Sequence, residues 1–293
     1  MSPTETSSVQ RQRVSIVIPY FNQRVDLIRC LDSLRPELII GDEIIVIDDA
    51  STDHPDLNAS SDLPVQLIRH SQNQGPSEAR NNGVKQSNNS LIAFMDADDI
   101  CRPNRIAVQA AFLSGHSDFF GCVGDYSFER RENSAHVKVL HDQLPGDVRR
   151  QLLCGRIFAA GSTLMVNKSQ FTAIGGYDKN LRVYEDWDLL LRALRTSPIG
   201  HCGQLIADIS SSTRAADLDR RLAAITTLTE RHMPFYEGAE KRMFKQALAY
   251  EKASAYLRAR NGFHGGAALL EAFLLAPVAF LSRLTGRVIF GKT

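Results

Sequence analysis

The stretch LIAFMDADDICRPNR, residues 91–105, runs from five apolar residues into three aspartates, Asp96, Asp98 and Asp99. The apolar run reads as a buried strand, which puts the acids at its carboxyl tip. Carboxylates this close repel one another unless a cation or hydrogen-bond donors offset their charge. A strand tip has room for only one or two protein ligands to a Mg²⁺ or Mn²⁺ ion, so Asp98 and its neighbours would leave the rest of the shell to water and to the phosphates of a ligand. A diphosphate is the natural candidate. The spacing excludes an EF-hand calcium loop: counted from Asp96, the places for an oxygen ligand, a glycine and a glutamate hold Ile100, Cys101 and Ala107. A plainer use stays open, since Asp96 or Asp99 can cap a following helix that has Pro103 near its first turn.

Two more stretches carry candidate groups. IIVIDDASTD (44–53) again delivers adjacent acids from an apolar run, and a carboxylate there can accept the imide N–H of uracil, although the same letters describe an ordinary turn and N-cap. The aromatics of PYFN (19–22), at the end of another apolar run, can flank a base. NQGPSEARNNGV (73–84) turns at Gly75-Pro76 into a helix that carries Arg80 in its first turns. Arg80 can face phosphate or base, though an isolated helix arginine is commonly solvated.

The elements that must position these groups follow from the pattern. Runs at 14–18, 43–47, 65–68 and 91–95 are short, rich in Val and Ile, and bounded by turn residues or charges, as strands buried on both faces are. Helical patterns lie between them, at 24–34 with Val25, Ile28, Leu31 and Leu34 on one face, and at 77–86. Strand alternating with helix predicts a parallel sheet, whose functional groups gather in the crevice at the strands' carboxyl ends. Further on, the sequence predicts a helix near 105–113, strands near 122–128 and 163–166, and helices at 187–195, 218–231 and 239–260. The predicted fold class is therefore α/β, with a disordered leader at 1–12, the main domain at 13–215 and a helical region at 216–293.

Composition narrows the function. The 293 residues are 43% hydrophobic and 23% charged with a formal net charge of +1, so no basic field invites nucleic acid. Five cysteines without a CxxC pair show neither a zinc framework nor a redox motif and fit a reducing compartment. The polar start MSPTETSSVQRQR has no apolar h-region, which predicts a cytoplasmic protein. GGAALLEAFLLAPVAFLSRL (265–284) is apolar but interrupted by Glu271 and Pro277. A buried hairpin, a segment lying on the inner face of the cytoplasmic membrane, and a span are its three readings, the span being the shortest of residues. GxGxxG after the first strand and GxxxxGK[ST] are both absent, which removes the dinucleotide and phosphate-loop classes. A sugar nucleotidyltransferase would open with a Gly-rich loop where this chain has PYFNQR.

Taken in order, VSIVIPYFNQ, EIIVIDDASTD, NQGPSEARNNGV, FMDADD and IGGYDKNLRVYEDWDLLLRA resemble the family 2 glycosyltransferases, which have the GT-A fold. The resemblance covers about residues 14–195. It implies a UDP-sugar donor, with Asp49 on uracil, Pro19, Tyr20, Phe21 and Asn22 around the base, Arg80 near the donor, Asp96 near the ribose, and Asp98 on a Mn²⁺ or Mg²⁺ ion. It also implies an inverting transfer to a glycan or lipid-linked acceptor. Such a transfer needs a base opposite the leaving group. The family pattern places that base in the pair Glu185-Asp186, and Asp186 is preferred. Both acids also suit the amino end of a helix. Trp187 and the stretch from Gly161 and Ser162 to Thr163 are candidates for the acceptor floor, with Trp187 equally suited to the core. Two departures stand out. The family's Arg-x-His has no counterpart in QLIADISSSTRAADLD (204–219), where Arg214 and, nearby, His201 are the candidate substitutes, and the Gln-x-x-Arg-Trp of processive synthases is absent. Addition of a single sugar, in cell-envelope glycan or glycolipid synthesis, is therefore expected. The rival is a binding protein for nucleotide sugars that has lost turnover.

Overall fold

The structure, a computed structural model, describes residues 11–55, 57–129, 148–156, 159–210 and 217–275. Strand β1 (Val14–Tyr20) is buried along almost its whole length on both faces. Helix α1 (Arg24–Leu34) crosses to β2 (Glu43–Asp48), which is followed by β3 (Val65–Arg69), helix α2 (Pro76–Gln86) and β4 (Leu91–Phe94). All four strands are parallel, with β2 and β4 on either side of β1. Successive β1 side chains point to opposite faces. Ile16 and Ile18 accordingly join α1's Leu27 and Leu31 in one core, while Val17 joins Val84 of α2 in another.

The chain continues through β5 (Ile100–Cys101), α3 (Arg105–Gly115), β6 (Gly121–Glu129), α4 (Val148–Leu153), α5 (Ala160–Thr163), β7 (Met165–Asn167), α6 (Lys168–Ala173), α7 (Glu185–Ala193) and β8 (Ile199–Ser210). The eight strands lie in the order β3-β2-β1-β4-β7-β6-β8-β5. Strand β7 is antiparallel to β4 and β6, β5 is antiparallel to β8, and β6 runs parallel to β8. Half of the sheet is thus mixed rather than parallel. Because β4 and β5 are adjacent in sequence yet far apart in the sheet order, the loop between them, which carries the three aspartates, bridges the sheet's curl.

Three helices follow: α8 (Leu218–His232), α9 (Gly238–Arg258) and α10 (Gly262–Leu275). Ile225 and Leu228 of α8 and Phe244 of α9 pack into the same core as Phe94, Trp187 and Leu190. The sheet and the helical region therefore share one interior. Helix α10 packs Ala272 against Ala249 of α9 and leaves Leu270 and Leu274 more than half exposed. Among the described residues no helix is long and apolar enough to cross a membrane. Residues 276–284 of the apolar segment lie outside the described part.

Two expectations need correction. The buried face of α1 is Leu27, Cys30, Leu31 and Leu34, whereas Val25 is 73% exposed. The sheet lies one position around the helix from the predicted stripe. Arg11, placed in the leader, donates to Asp42 at 3.1 Å and to the Glu37 carbonyl at 2.8 Å, so the chain is tied down before β1 begins. Residues 1–10 lie outside the described part.

Helix α7 is anchored by Asp188, a fully buried carboxylate that receives Arg192 at 2.8 Å, Arg231 at 2.9 Å and His232 at 2.9 Å. Burial opposes its charge, but His232 and the two guanidiniums hold its pKa down at about 2. A depressed carboxylate stabilises the fold above its unfolded pKa of about 4 and loses that contribution as pH falls toward the folded value. Asp188→Ala leaves the buried His232 and the half-buried Arg192 and Arg231 without this shared acceptor and is expected to cost about 3–5 kcal/mol at neutral pH. Denaturant unfolding would show that deficit, and it should narrow below about pH 4.

Candidate active site

The site is a cavity of about 510 Å³ at the carboxyl ends of β1, β2 and β4. Pro19, Tyr20, Phe21, Asp49, Arg80, Asp96, Asp98 and Glu185 all line it, so residues from five separate stretches of sequence meet there.

The aspartate loop explains its own spacing. Asp99 turns inward, 3% exposed, where its carboxylate accepts the Ser210 N–H at 2.7 Å and a short hydrogen bond from the Ser162 hydroxyl. The same Ser162 oxygen accepts the Asp96 N–H at 2.9 Å. Burial, with Asp96 nearby, raises the Asp99 pKa. Asp99 thus fastens the loop to β8 and α5, and Asp96 and Asp98 are left at the cavity. The cation opposite Asp96 is Arg80, whose Nη2 lies 2.6 Å from Asp96 Oδ1.

Arg80 also reaches across the cavity. Its Nη1 is 3.5 Å from Glu185 Oε1, its guanidinium sits 5.3 Å from the centre of the Tyr177 ring, and the residue is only 3% exposed. One buried cation therefore links the acids of the β4 tip to those of α7. Gly161 makes that approach feasible: a Cβ there would meet Asp96 Oδ2 at 2.5 Å and Arg80 Nη2 at 2.8 Å.

The α7 acids start from a strained residue. Tyr184, immediately before them, has φ of 59°, a left-handed conformation rare for a bulky side chain. Its hydroxyl donates to Glu251 of α9 at 3.1 Å and accepts from Arg221 of α8 at 3.3 Å, so the carboxyl-terminal helices hold the turn. Asp186 Oδ2 accepts the Gly161 N–H at 3.2 Å, while its Oδ1 is buried without a hydrogen-bond partner. Burial is the main cause that raises the pKa of Asp186, with Arg80 opposing it. Glu185 is raised by burial and by Asp186. Tyr177, whose buried hydroxyl also has no partner, has its pKa pushed up by burial and by Asp186.

On the other wall, Asp49 is fixed in detail. Its Oδ1 receives His70 Nδ1 at 2.8 Å and the Gln74 N–H at 2.8 Å, and its Oδ2 receives the Gly75 N–H at 2.7 Å. His70 Nε2 lies 2.8 Å from the Asn82 amide nitrogen, which fixes the proton on Nδ1. A carboxylate has about four acceptor sites. Three of those on Asp49 are filled, and one on Oδ2 remains.

Several predicted residues have other duties. Trp187 is completely buried, donates its indole N–H to the Leu152 carbonyl at 2.8 Å and packs edge-on against Phe244. It is core and cannot be an acceptor floor. Ser162 is 1% exposed and serves the aspartate loop. Asn22 does not line the cavity: its Oδ1 accepts the N–H groups of Thr52 at 2.9 Å and Asp53 at 3.0 Å, which clips the end of β1 to the turn after β2. His201 lies 3.2 Å from Asp125 and away from the cavity, and Arg214 lies outside the described residues. Among the described residues no three His, Cys, Asp or Glu side chains converge on one point as a metal cage. The sequence reading missed Arg182 and Arg220, which line the cavity as well. Arg182 stands three residues before Glu185, and that proximity was its one available signal.

A curled mixed sheet with acids at the tip of β4 and at the start of α7 is the architecture of the GT-A fold. The sequence signature described as glycosyl transferase family 2 matches residues 15–171, more than half of the chain, and the chain belongs to that family. An uncharacterized glycosyltransferase of Haemophilus influenzae is 29% identical over 184 residues, which are 62% of this chain and 62% of that protein. The uncharacterized glycosyltransferase YwdF of Bacillus subtilis is 26% identical over 227 residues, 75% of this chain and 84% of YwdF. Crystal structures of S. aureus TarS residues 1–349 share the fold. One superposes with a TM-score of 0.62 at 17% identity, covering 92% of this chain and 82% of that one. Another, solved in complex with UDP-GlcNAc, gives 0.64 at 16% identity.

Proposed function

We propose that the chain moves one sugar from a UDP-sugar to a hydroxyl of a glycan or lipid-linked acceptor, with inversion at the anomeric carbon. The observation that carries this reading is the single cavity in which the PYF turn, Asp49, Asp96 and Asp98 face Glu185, the neighbour of Asp186. The likeness to TarS, solved with UDP-GlcNAc, supports a uridine donor. The uracil imide N–H would take the remaining acceptor site on Asp49, between Tyr20 and Phe21.

In the transfer, Asp186 Oδ1 accepts the proton of the acceptor hydroxyl. The acceptor's own oxygen bonds to C1 of the sugar as the C1–O bond to the diphosphate breaks, and UDP leaves with the electron pair. Asp186 adjoins the cavity beside Glu185, and burial raises its pKa, as suits a group that takes up a proton. Glu185 and Arg80 set the charge around it.

The cavity's donor set fits a divalent ion. Asp98 and the Asp96 oxygen not bonded to Arg80 supply hard oxygens, and a hard ion held there would take its other ligands from water and phosphate. When bound, Mn²⁺ or Mg²⁺ would neutralise charge on the departing diphosphate. The acceptor side is proposed to lie at the cytosolic face of a membrane, with the exposed Leu270 and Leu274 of α10 touching it. Titration calorimetry of UDP with and without Mn²⁺ tests the donor site. Native protein should bind UDP at least about tenfold tighter with the metal, and Asp98→Ala should lose that gain. Equal binding with and without metal would remove the metal from the reading.

A further inference from the structure

Three arginines and four carboxylates line the cavity: Arg80, Arg182 and Arg220, with Asp49, Asp96, Asp98 and Glu185. Arg80 is committed to Asp96 and Glu185. Arg182 and Arg220 are different. Both are exposed, and among the described residues neither makes a hydrogen bond or ion pair, although acids share their cavity. Two long cations left unpaired beside carboxylates are held for a third party.

Their placement names its chemistry. Arg182 lies on Gly75, at the start of α2, where a Cβ would meet Arg182 Nη1 at 1.8 Å. Gly75 has φ of 90° and ψ of 168°, a region open essentially to glycine alone, so the backbone leaves this seat for the guanidinium. The amino end of α2 adds a positive field there. Arg220 comes from the first turn of α8, a different part of the chain, and borders the same space. Guanidinium forks bind phosphate oxygens in pairs and are less strongly hydrated than ammonium groups.

We propose that Arg182 and Arg220 form a cationic lip that grips the diphosphate of the donor and steadies it as a leaving group. The inference rests on the nucleotide-sugar reading of the cavity, and its test keeps the two apart.

The test is binding of UDP and of uridine at one fixed Mn²⁺ concentration, for native protein, Arg182→Gln, Arg220→Gln and the double variant. Thermal unfolding should be unchanged, because neither side chain has a partner to lose. Each single variant should bind UDP roughly tenfold more weakly and the double variant about a hundredfold, with uridine within about twofold of native. The salt dependence of UDP affinity should become shallower in the same order. Native affinity for UDP in the double variant would overturn the lip. Equal weakening of UDP and uridine, with an unaltered salt slope, would also overturn it by placing the arginines on the base. A native protein that binds neither compound would instead refute the cavity's assignment.

Discussion

Asp186→Asn is expected to lower kcat by about 10²–10⁴-fold while the affinity for UDP stays within about twofold of native. The substitution keeps the shape and can still accept the Gly161 N–H, but its amide oxygen cannot take a proton from the acceptor. The pH profile gives a second reading. Burial raises the pKa of Asp186, so the acid limb of native kcat/KM should lie above the ordinary carboxylate value of about 3.9. A raised carboxyl pKa means the base is protonated, and idle, over a wider acid range. In the variant this limb should vanish from whatever activity remains. Undiminished turnover would move the base to Glu185. A native chain that binds UDP yet turns over no donor would favour the binding-protein alternative.

What the sequence disclosed, and what it hid, has a physical pattern. Strands β1, β2 and β4 were legible because a parallel strand buried on both faces must be a continuous apolar run. The longest strand, β8, was not predicted at all. Its IGHCGQLIADIS carries two glycines, a histidine and a glutamine, and it is a strand because β6 and β5 pair with it from distant parts of the chain. The acids followed the same rule. Asp49, Asp96 and Asp98 could be named because they end apolar runs, yet the bonds from His70, Gln74 and Gly75 to Asp49 depend on how three segments meet. Trp187 stayed open between floor and core because an aromatic beside paired acids also suggests a ligand surface, whereas Phe244 and the Leu152 carbonyl, both remote in sequence, make it core. Arg80 was visible in the sequence as a group for phosphate or base, but its place opposite Asp96 and its reach to Glu185 were not.

That reach makes Arg80 the residue whose loss should spread furthest. Arg80→Met is expected to cost about 3–5 kcal/mol at neutral pH, because it removes the cation from among buried or half-buried carboxylates and leaves them uncompensated. Arg80 is the main influence opposing the raised pKa of Asp186, and it also lowers that of Glu185. Without it both values rise further. A carboxyl whose folded pKa exceeds its unfolded value binds its proton more readily in the native state, so stability falls as pH rises through the interval between the two values. The deficit of Arg80→Met should therefore shrink on going from about pH 8 to about pH 5, a higher window than loss of a simple surface ion pair would give, whose deficit shrinks only below about pH 4. The acid limb of kcat/KM in the same variant should move upward, and activity at neutral pH should fall, because Asp186 then spends more time protonated. Arg80→Lys restores the charge without the planar fork and should recover stability more fully than activity. A pH-independent deficit in Arg80→Met would mean that the loss is one of packing against Tyr177, and that the two acidic clusters are held by something other than a shared cation.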